Sequence, residues 1–268
     1  MFINPIDRDT LRTHVRQSKP VPNFKIDNFL DEEFANRVLA AFPTFEEALK
    51  AGRTFQAVNE SKKVQLTDAS HFAAPVAELN QALAAPEFLE LLSYVFDIPD
   101  LLADDQLVGG GIHQTGARGH LDVHIDFNFI EDRQLHRRLN ILIYFNKDWR
   151  SEWGGNIELW NKDVTVCEHS FSPVFNRCVV FITNEVSFHG VTAVKCPDDR
   201  TRKSFAAYYY SREAPAGWTG ESHSTIFKAR PNEILKGTVL MPLESAKQNM
   251  INALRGLKRT LKKNLTKN

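Results

Sequence analysis

The first third of the chain carries the hydrophobic spacing of helices. Residues 31–42 begin with acidic side chains, which favour a helix N-terminus, and place three large apolar side chains on one stripe. An Ala- and Leu-rich stretch over about residues 72–96 predicts a second helical region, interrupted near Pro86. Residues 1–104 are therefore expected to form a mainly helical support region.

From about Leu107 the pattern changes to short apolar or alternating runs, separated by Gly, Asn, Asp and Pro. The runs read LVGGGIHQ, HLDVHIDFNF, RLNILIYFN, NIELWN, VTVCEHSF, RCVVFIT, GVTAVK and KSFAAYYYS. Short strands at this spacing are typical of a β-sandwich or β-barrel. We expect residues 105–212 to form a mainly β core and residues 213–268 a C-terminal extension, all within one structural domain.

The C-terminal extension ends in a basic stretch with helical periodicity from about Glu244. Its apolar face consists of Met250, Leu254, Leu257, Leu261 and Leu265, with Lys and Arg around it. A basic amphipathic helix can bind a membrane surface or a partner protein. A terminal helix docked on the body of the protein is the interpretation that we favour.

Composition narrows the class of protein. With 268 residues the chain can bury a single large core, and its 33 Lys plus Arg balance its 33 Asp plus Glu. Overall charge therefore gives no attraction for nucleic acid. The three cysteines lack CxxC spacing, the start lacks an uninterrupted apolar run, and no stretch is long enough for a transmembrane segment. These features predict a cytoplasmic protein and leave its oligomeric state open.

One strand-like stretch, GHLDVHIDFN, contains two overlapping copies of His-x-Asp. Since side chains alternate along a strand, His120, Asp122, His124 and Asp126 would all project to one side. Burying the four groups together without partners would be costly. Either part of the row is solvated, or a cation lies among them.

A third group for such a cation is available in FHGV, where His189 follows the apolar strand RCVVFIT. Two His and one carboxylate on one side of a metal form the facial triad of non-haem Fe(II) oxygenases. His124, Asp126 and His189 therefore favour redox-active iron over a closed structural zinc site.

A carboxylate site is indicated thirteen residues further on, at the head of the strand KSFAAYYYS. Period two places Arg202 and Ser204 on the same face, where a guanidinium and a hydroxyl could hold a carboxylate. In the alternative interpretation Arg202 belongs to a polar turn and pairs with Asp198 or Asp199.

These motifs, in this order, resemble the Fe(II)- and 2-oxoglutarate-dependent dioxygenases, specifically the prolyl 4-hydroxylase-like branch. The resemblance covers about residues 105–212. It rests on HIDFN, LNILIYFNKDW followed by Gly-Gly, FHGV and RKSFAAYYYS.

The resemblance implies a double-stranded β-helix core of the jelly-roll or cupin-like type, supported by N-terminal helices. It makes His124, Asp126 and His189 the metal ligands, and it identifies the residues that would bind 2-oxoglutarate. These are Arg202, Ser204, Tyr144 and Gln114. His120 and Asp122 would then lie at the pocket rim or be turned away by a bulge.

The implied reaction is hydroxylation of an unactivated C–H bond, with Fe(II), 2-oxoglutarate, O2 and, as an additional factor, ascorbate. Succinate and CO2 would be co-products. Candidate substrates are a prolyl residue, a free amino acid or another small metabolite, and candidate pocket-wall residues are Asn128, Arg138 and Trp160. The alternative functions are a non-catalytic cupin-like small-molecule binding protein and an interaction protein that uses the basic C-terminal helix.

Overall fold

The computed structural model describes residues 2–243, and this part of the chain contains five α-helices. They are α1 (Arg8–Gln17), α2 (Glu32–Ala40), α3 (Phe45–Ala51), α4 (Ala74–Leu83) and α5 (Pro86–Phe96). Both predicted helical regions are confirmed, and the expected interruption falls where Pro86 begins α5, a position that does not need a backbone donor. The predicted basic C-terminal helix lies outside the described residues.

The described residues also contain thirteen strands, of which the first three lie between helices and the other ten follow α5. They are β1 (Asn23–Ile26), β2 (Arg53–Gln56), β3 (Glu60–Leu66), β4 (Leu102–Ala103), β5 (Gly111–Ile125), β6 (Phe129–Ile130), β7 (Leu135–Tyr144), β8 (Ile157–Trp160), β9 (Cys167–Phe171), β10 (Cys178–Ile182), β11 (His189–Val191), β12 (Arg202–Ser211) and β13 (Ile226–Lys228). Two of the predicted apolar runs, LVGGGIHQ and HLDVHIDFNF, contribute to one long strand, β5.

The strands form one curled antiparallel sheet, in the principal order β1-β10-β7-β12-β5-β11-β8-β9. Alternate residues of its central strands face different hydrophobic clusters. On β7, Ile141 and Ile143 pack with the helices, in a cluster that includes Leu79 of α4. Leu142 and Tyr144 instead face the interior of the curled sheet. Burial on both faces explains why these strands read as nearly continuous apolar runs, and the mainly β fold with helical support is confirmed.

The N-terminal region also supplies strands to this sheet, which the sequence analysis did not predict. β1 pairs with β10, and β3 pairs with β5. β3 reads ESKKVQL and is mostly only half-buried, so it lacks the apolar run that marks the central strands. The boundary at residue 105 is therefore not a structural division, and the described chain folds around a shared core.

A buried asparagine side chain joins the N-terminal region to the loop that precedes β10 of the curled sheet. The Asn176 amide donates to the Leu30 carbonyl at 2.7 Å, and its oxygen accepts from the Leu30 N–H at 2.8 Å. Asn176 also adopts a φ of 58°, a left-handed conformation that Asn tolerates better than most residues. One side chain thus satisfies both backbone groups of Leu30.

No helix within residues 2–243 has both the length and the apolar character needed to cross a membrane.

We predict that Asn176→Ala lowers the free energy of unfolding by roughly 1–3 kcal/mol, because it leaves the buried Leu30 N–H without a partner, whereas the Leu30 carbonyl still accepts from the Asn4 amide. Urea denaturation measures this loss. Asn36→Ala is the control, since the Asn36 amide donates only to a Glu32 carbonyl on the exposed face of α2. Equal stability of the two variants would contradict the prediction.

Candidate metal centre and adjoining cavity

Two antiparallel strands bring His124, Asp126 and His189 together. His124 lies near the end of β5, Asp126 directly follows that strand, and His189 begins β11. β11 pairs with β5 so that His189 is directly opposite His124. The Nε2 atoms of His124 and His189 lie 3.5 and 3.3 Å from the two Asp126 carboxylate oxygens, respectively. One ligand atom from each residue lies within 4.8 Å of the others.

Backbone carbonyls fix both imidazole rings. Nδ1 of His124 lies 2.8 Å from the Asp122 carbonyl, and Nδ1 of His189 lies 2.9 Å from the Ser187 carbonyl. A carbonyl can only accept, so each Nδ1 carries a proton, and in the neutral ring the lone pair of Nε2 is then directed to the centre of the group. This second contact is the usual way in which proteins orient histidine ligands toward a metal.

The charge of Asp126 is balanced by two further side chains. Arg137 Nη2 lies 3.0 Å from Oδ2, and the Asn140 amide donates to the same oxygen at 2.8 Å. Burial alone would raise the pKa of Asp126, but Arg137 and His189 outweigh it and hold that pKa well below its usual range. Burial and neighbouring His124 lower the pKa of His189, which favours the neutral, metal-binding ring.

This donor set fits Fe(II). Two neutral imidazole nitrogens and one carboxylate approach a common point from one side, as a facial triad requires. Within residues 2–243 no other group of three His, Cys, Asp or Glu side chains has metal-binding geometry. A closed structural zinc site would need a fourth protein ligand.

A cavity of about 480 Å³ adjoins the triad and reaches Arg202 and Ser204. Arg202 is buried, with Nε donating to the Gly155 carbonyl at 2.6 Å and Nη1 lying 3.4 Å from Ser204 Oγ. Its Nη2 has no hydrogen-bond partner, and no carboxylate among the described residues forms an ion pair with it. A buried guanidinium in this state is a ready site for an anion.

Tyr144 lies beside the buried Arg202 guanidinium. Its ring centroid lies 5.0 Å from Arg202 Cζ, and its buried hydroxyl has no hydrogen-bond partner. Burial raises the pKa of Tyr144 to about 12, although the charge of Arg202 opposes this shift. The hydroxyl therefore stays protonated and can donate to an anion bound beside Arg202. Burial also lowers the pKa of Arg202, without removing its charge at neutral pH.

Gln114 does not line this cavity, contrary to the prediction that it binds 2-oxoglutarate. The Gln114 amide donates to the Pro43 carbonyl at 2.8 Å, and its oxygen accepts from the Thr201 hydroxyl at 3.0 Å. The register explains the difference, since Thr115 lies opposite Arg202 whereas Gln114 lies opposite Lys203, on the other face. His113 and Thr115 occupy the inward positions instead.

The first His-x-Asp pair is not part of the triad. The pairing of β11 with β5 shifts between His124 and Leu121, as the predicted bulge requires. His120 lines the cavity rim, where its ring nitrogens contact Ser61 and the Val58 carbonyl. Asp122 is fully buried away from the cavity. Burial raises its pKa, and Lys236 opposes that shift.

None of the three candidate wall residues lines the main cavity. Asn128 lines a smaller neighbouring cavity, Arg138 donates to the Ser211 hydroxyl, and the Trp160 indole lies 3.3 Å from Glu158. Arg137, which was not predicted from the sequence, lies inside the main cavity with its guanidinium 3.7 Å from the centre of the Tyr208 ring. A shift in the pairing of β12 with β7 turns Arg137 inward, and no sequence signal marks this shift.

A family comparison identifies the β core. Residues 110–210 match the model of the 2OG-Fe(II) oxygenase superfamily. These residues form a 2OG-Fe(II) oxygenase domain. The match contains the complete triad and both residues of the proposed carboxylate site, and oxygenases of this class use Fe(II), 2-oxoglutarate and O2. The search of curated protein sequences found no match to this chain.

Solved structures of prolyl hydroxylases share the fold of this chain. A Trichoplax adhaerens prolyl hydroxylase, solved with a hypoxia inducible factor peptide, is 16% identical with a TM-score of 0.54, over 76% of this chain and 90% of that one. A Pseudomonas putida prolyl-4-hydroxylase is 18% identical with a TM-score of 0.53, over 75% and 98%. A Phytophthora capsici prolyl 4-hydroxylase is 18% identical with a TM-score of 0.52, over 78% and 68%. The double-stranded β-helix of the oxygenase domain is thereby confirmed.

We predict that Arg137→Met destabilises the metal-free protein by roughly 3–5 kcal/mol, because Asp126 then remains buried without its cation. A divalent metal should restore part of this loss, so Mn(II) should raise the melting temperature of this variant more than that of the wild type. Differential scanning calorimetry with and without Mn(II) measures both effects.

Arg138→Met is the matched control for this prediction. It removes the neighbouring Arg, which donates to the Ser211 hydroxyl at 2.7 Å and does not contact Asp126. The control should respond to Mn(II) as the wild type does. A Mn(II) response of Arg137→Met equal to that of the control would contradict the assigned charge balance.

Proposed function

We propose that this oxygenase hydroxylates an unactivated C–H bond of a small-molecule or peptidyl substrate and releases succinate and CO2. The observation that supports this most strongly is the arrangement of one cavity. It has a His-Asp-His group at one point and an unpaired buried guanidinium at another, with room for a substrate beside them.

His124, Asp126 and His189 would hold Fe(II) from one side and leave its other positions free. When bound, Fe(II) and 2-oxoglutarate would supply the activation of O2 and the oxidation of the C–H bond. Arg137 and Asn140 hold the Asp126 carboxylate in place, and the two backbone carbonyls hold the rings. The ligands are therefore already oriented before the metal binds.

Arg202 would bind the distal carboxylate of 2-oxoglutarate. Its unpartnered Nη2, the nearby Ser204 hydroxyl and the unpartnered Tyr144 hydroxyl offer donors to one anion. The Gly155 carbonyl holds Nε, which limits the orientations that the guanidinium can adopt. Such a fixed, charge-assisted pair provides both affinity and direction for the cosubstrate.

The rest of the cavity would receive the substrate. Aromatic side chains of Phe127, Tyr208 and Phe227 line part of its wall, where they would limit the access of water to the reacting groups. The likeness in fold to prolyl hydroxylases supports a prolyl residue, a free amino acid or a related small metabolite as the substrate class.

The test is anaerobic addition of Fe(II) and then 2-oxoglutarate to the purified protein, monitored for the visible metal-to-ligand charge-transfer band. We predict a band in the wild type and none in Asp126→Ala, which lacks the carboxylate ligand. On admission of O2, 2-oxoglutarate consumption and succinate formation should follow the same pattern.

We also predict that Arg202→Met forms this band only at roughly ten- to hundredfold higher 2-oxoglutarate, because a charged hydrogen bond is lost. Lys203→Met is the matched control, since Lys203 Nζ instead donates to the Thr201 hydroxyl. The control should titrate as the wild type does. A metal-loaded wild type without a band would refute the proposed function and favour a non-catalytic binding protein.

A further inference from the structure

The segment 221–236, named here the C-terminal strap, crosses the oxygenase domain beside the metal centre. Its strand β13 pairs with the end of β5, so that Phe227 is opposite His124. The strap lies outside the residues matched by the family model. It therefore adds a strand to the metal-binding strand from beyond the matched domain.

The strap contributes directly to the cavity wall. Phe227 and Thr225 both line the cavity, and the centre of the Phe227 ring lies 5.4 Å from the centre of the His124 ring. Movement of β13 would therefore open the cavity on the His124 side. The position of the strap matters for access of solvent to the metal centre.

One end of the strap is held by a buried carboxylate. Asp122 Oδ1 accepts from Lys236 Nζ at 2.5 Å and lies 3.6 Å from Arg230 Nη1. Arg230 also pairs with Glu158 of β8 at 2.9 Å. Asp122 is fully buried, and only 17% of the Lys236 side chain is exposed, so solvent screens this contact little.

The other end of the strap has a more exposed attachment. His223 Nε2 lies 2.6 Å from Glu185, a carboxylate whose side chain is 52% exposed. The His223 N–H donates to the Asn128 side chain at 3.0 Å. Removal of one partner is more costly in a buried pair than in an exposed pair, so loss of the Asp122 attachment should have the larger effect.

Asp122 also touches the metal centre through its backbone. Its carbonyl accepts from Nδ1 of His124, while its carboxylate binds the strap. One residue thus orients a metal ligand and holds the element that covers that ligand. Neither role needs Asp122 to bind metal.

We propose that Asp122 is a positioning residue, which through Lys236 and Arg230 holds the C-terminal strap against β5 so that Phe227 closes the cavity beside His124. Asp122, from the first His-x-Asp copy, thereby positions the surroundings of His124 in the second copy. The consequence for the reaction rests on the proposed function, whereas the attachment itself does not.

Hydrogen exchange of the metal-free, full-length protein tests the attachment. In Lys236→Met the amides of residues 225–229 should exchange about tenfold faster than in the wild type, because β13 opens locally. Lys236→Arg keeps the cation and should restore protection. Lys25→Met is the control, since it removes a lysine whose ion pair, with Asp27 at 2.8 Å, is exposed and does not involve the strap. Unchanged exchange in Lys236→Met would overturn the proposal.

Release of Mn(II) to excess chelator tests the effect on the metal centre. At a temperature where all variants are folded, Lys236→Met and Phe227→Ala should release Mn(II) roughly tenfold faster than Lys25→Met, as changes around metal ligands commonly do. Release at the control rate would contradict the assigned role of the strap. A wild type that binds no Mn(II) would refute the metal site of the proposed function, and the exchange experiment would still decide whether Asp122 holds the strap.

Discussion

The site depends on one antiparallel pairing, that of β11 with β5. This pairing sets His189 opposite His124, and Asp126 lies two residues after His124, just beyond the end of β5. Each ring is then locked by a carbonyl two residues before it, from Asp122 and from Ser187. Both locks are backbone contacts within the same local segment as the ligand. The ligand geometry is therefore encoded mainly by strand pairing, and side chains elsewhere refine it.

Charge is distributed unequally along the cavity. The carboxylate of Asp126 already has a cation, Arg137, together with the Asn140 amide. Arg202 has no such anion among the described residues, and Tyr144 beside it has an unused hydroxyl. Burial of an unpaired guanidinium is unfavourable for stability. The presence of Arg202 at this position therefore indicates that an anionic ligand binds there during function. The charge of Asp126 at the metal centre is thus already balanced within the protein, whereas the charge of Arg202 at the other end of the cavity is not.

Much of the site could be predicted because its key residues lie on strands with period two. The pairs His124 with Asp126 and Arg202 with Ser204 needed only that alternation, and all four side chains line the same cavity. The roles of Arg202, Ser204 and Tyr144 in cosubstrate binding remain predictions. The outward direction of Gln114 could not be predicted from the sequence. It depends on which residue of β5 lies opposite Arg202, and that register joins strands far apart in sequence.

The pocket wall could not be predicted, since it depends on irregular pairing. Counting by twos from Tyr144 gives Asn140 and then Arg138 as inward residues. The structure pairs Leu139 with Tyr209 but Arg137 with Tyr210, which leaves Arg138 as the extra residue of a bulge. The contact of Asp122 with Lys236 could not be predicted from the sequence either, since 114 residues separate the two partners.

The four-residue strand β1 also has a consequence for solubility. It is the first strand of the sheet and covers β10, whose sequence CVVFI is uncharged and largely buried. Without β1, the unpaired N–H and C=O groups of this apolar strand would form a free sheet edge, the kind of template on which chains aggregate. By pairing with β10, residues 23–26 therefore prevent this apolar strand from becoming a free edge at which copies of the protein could associate.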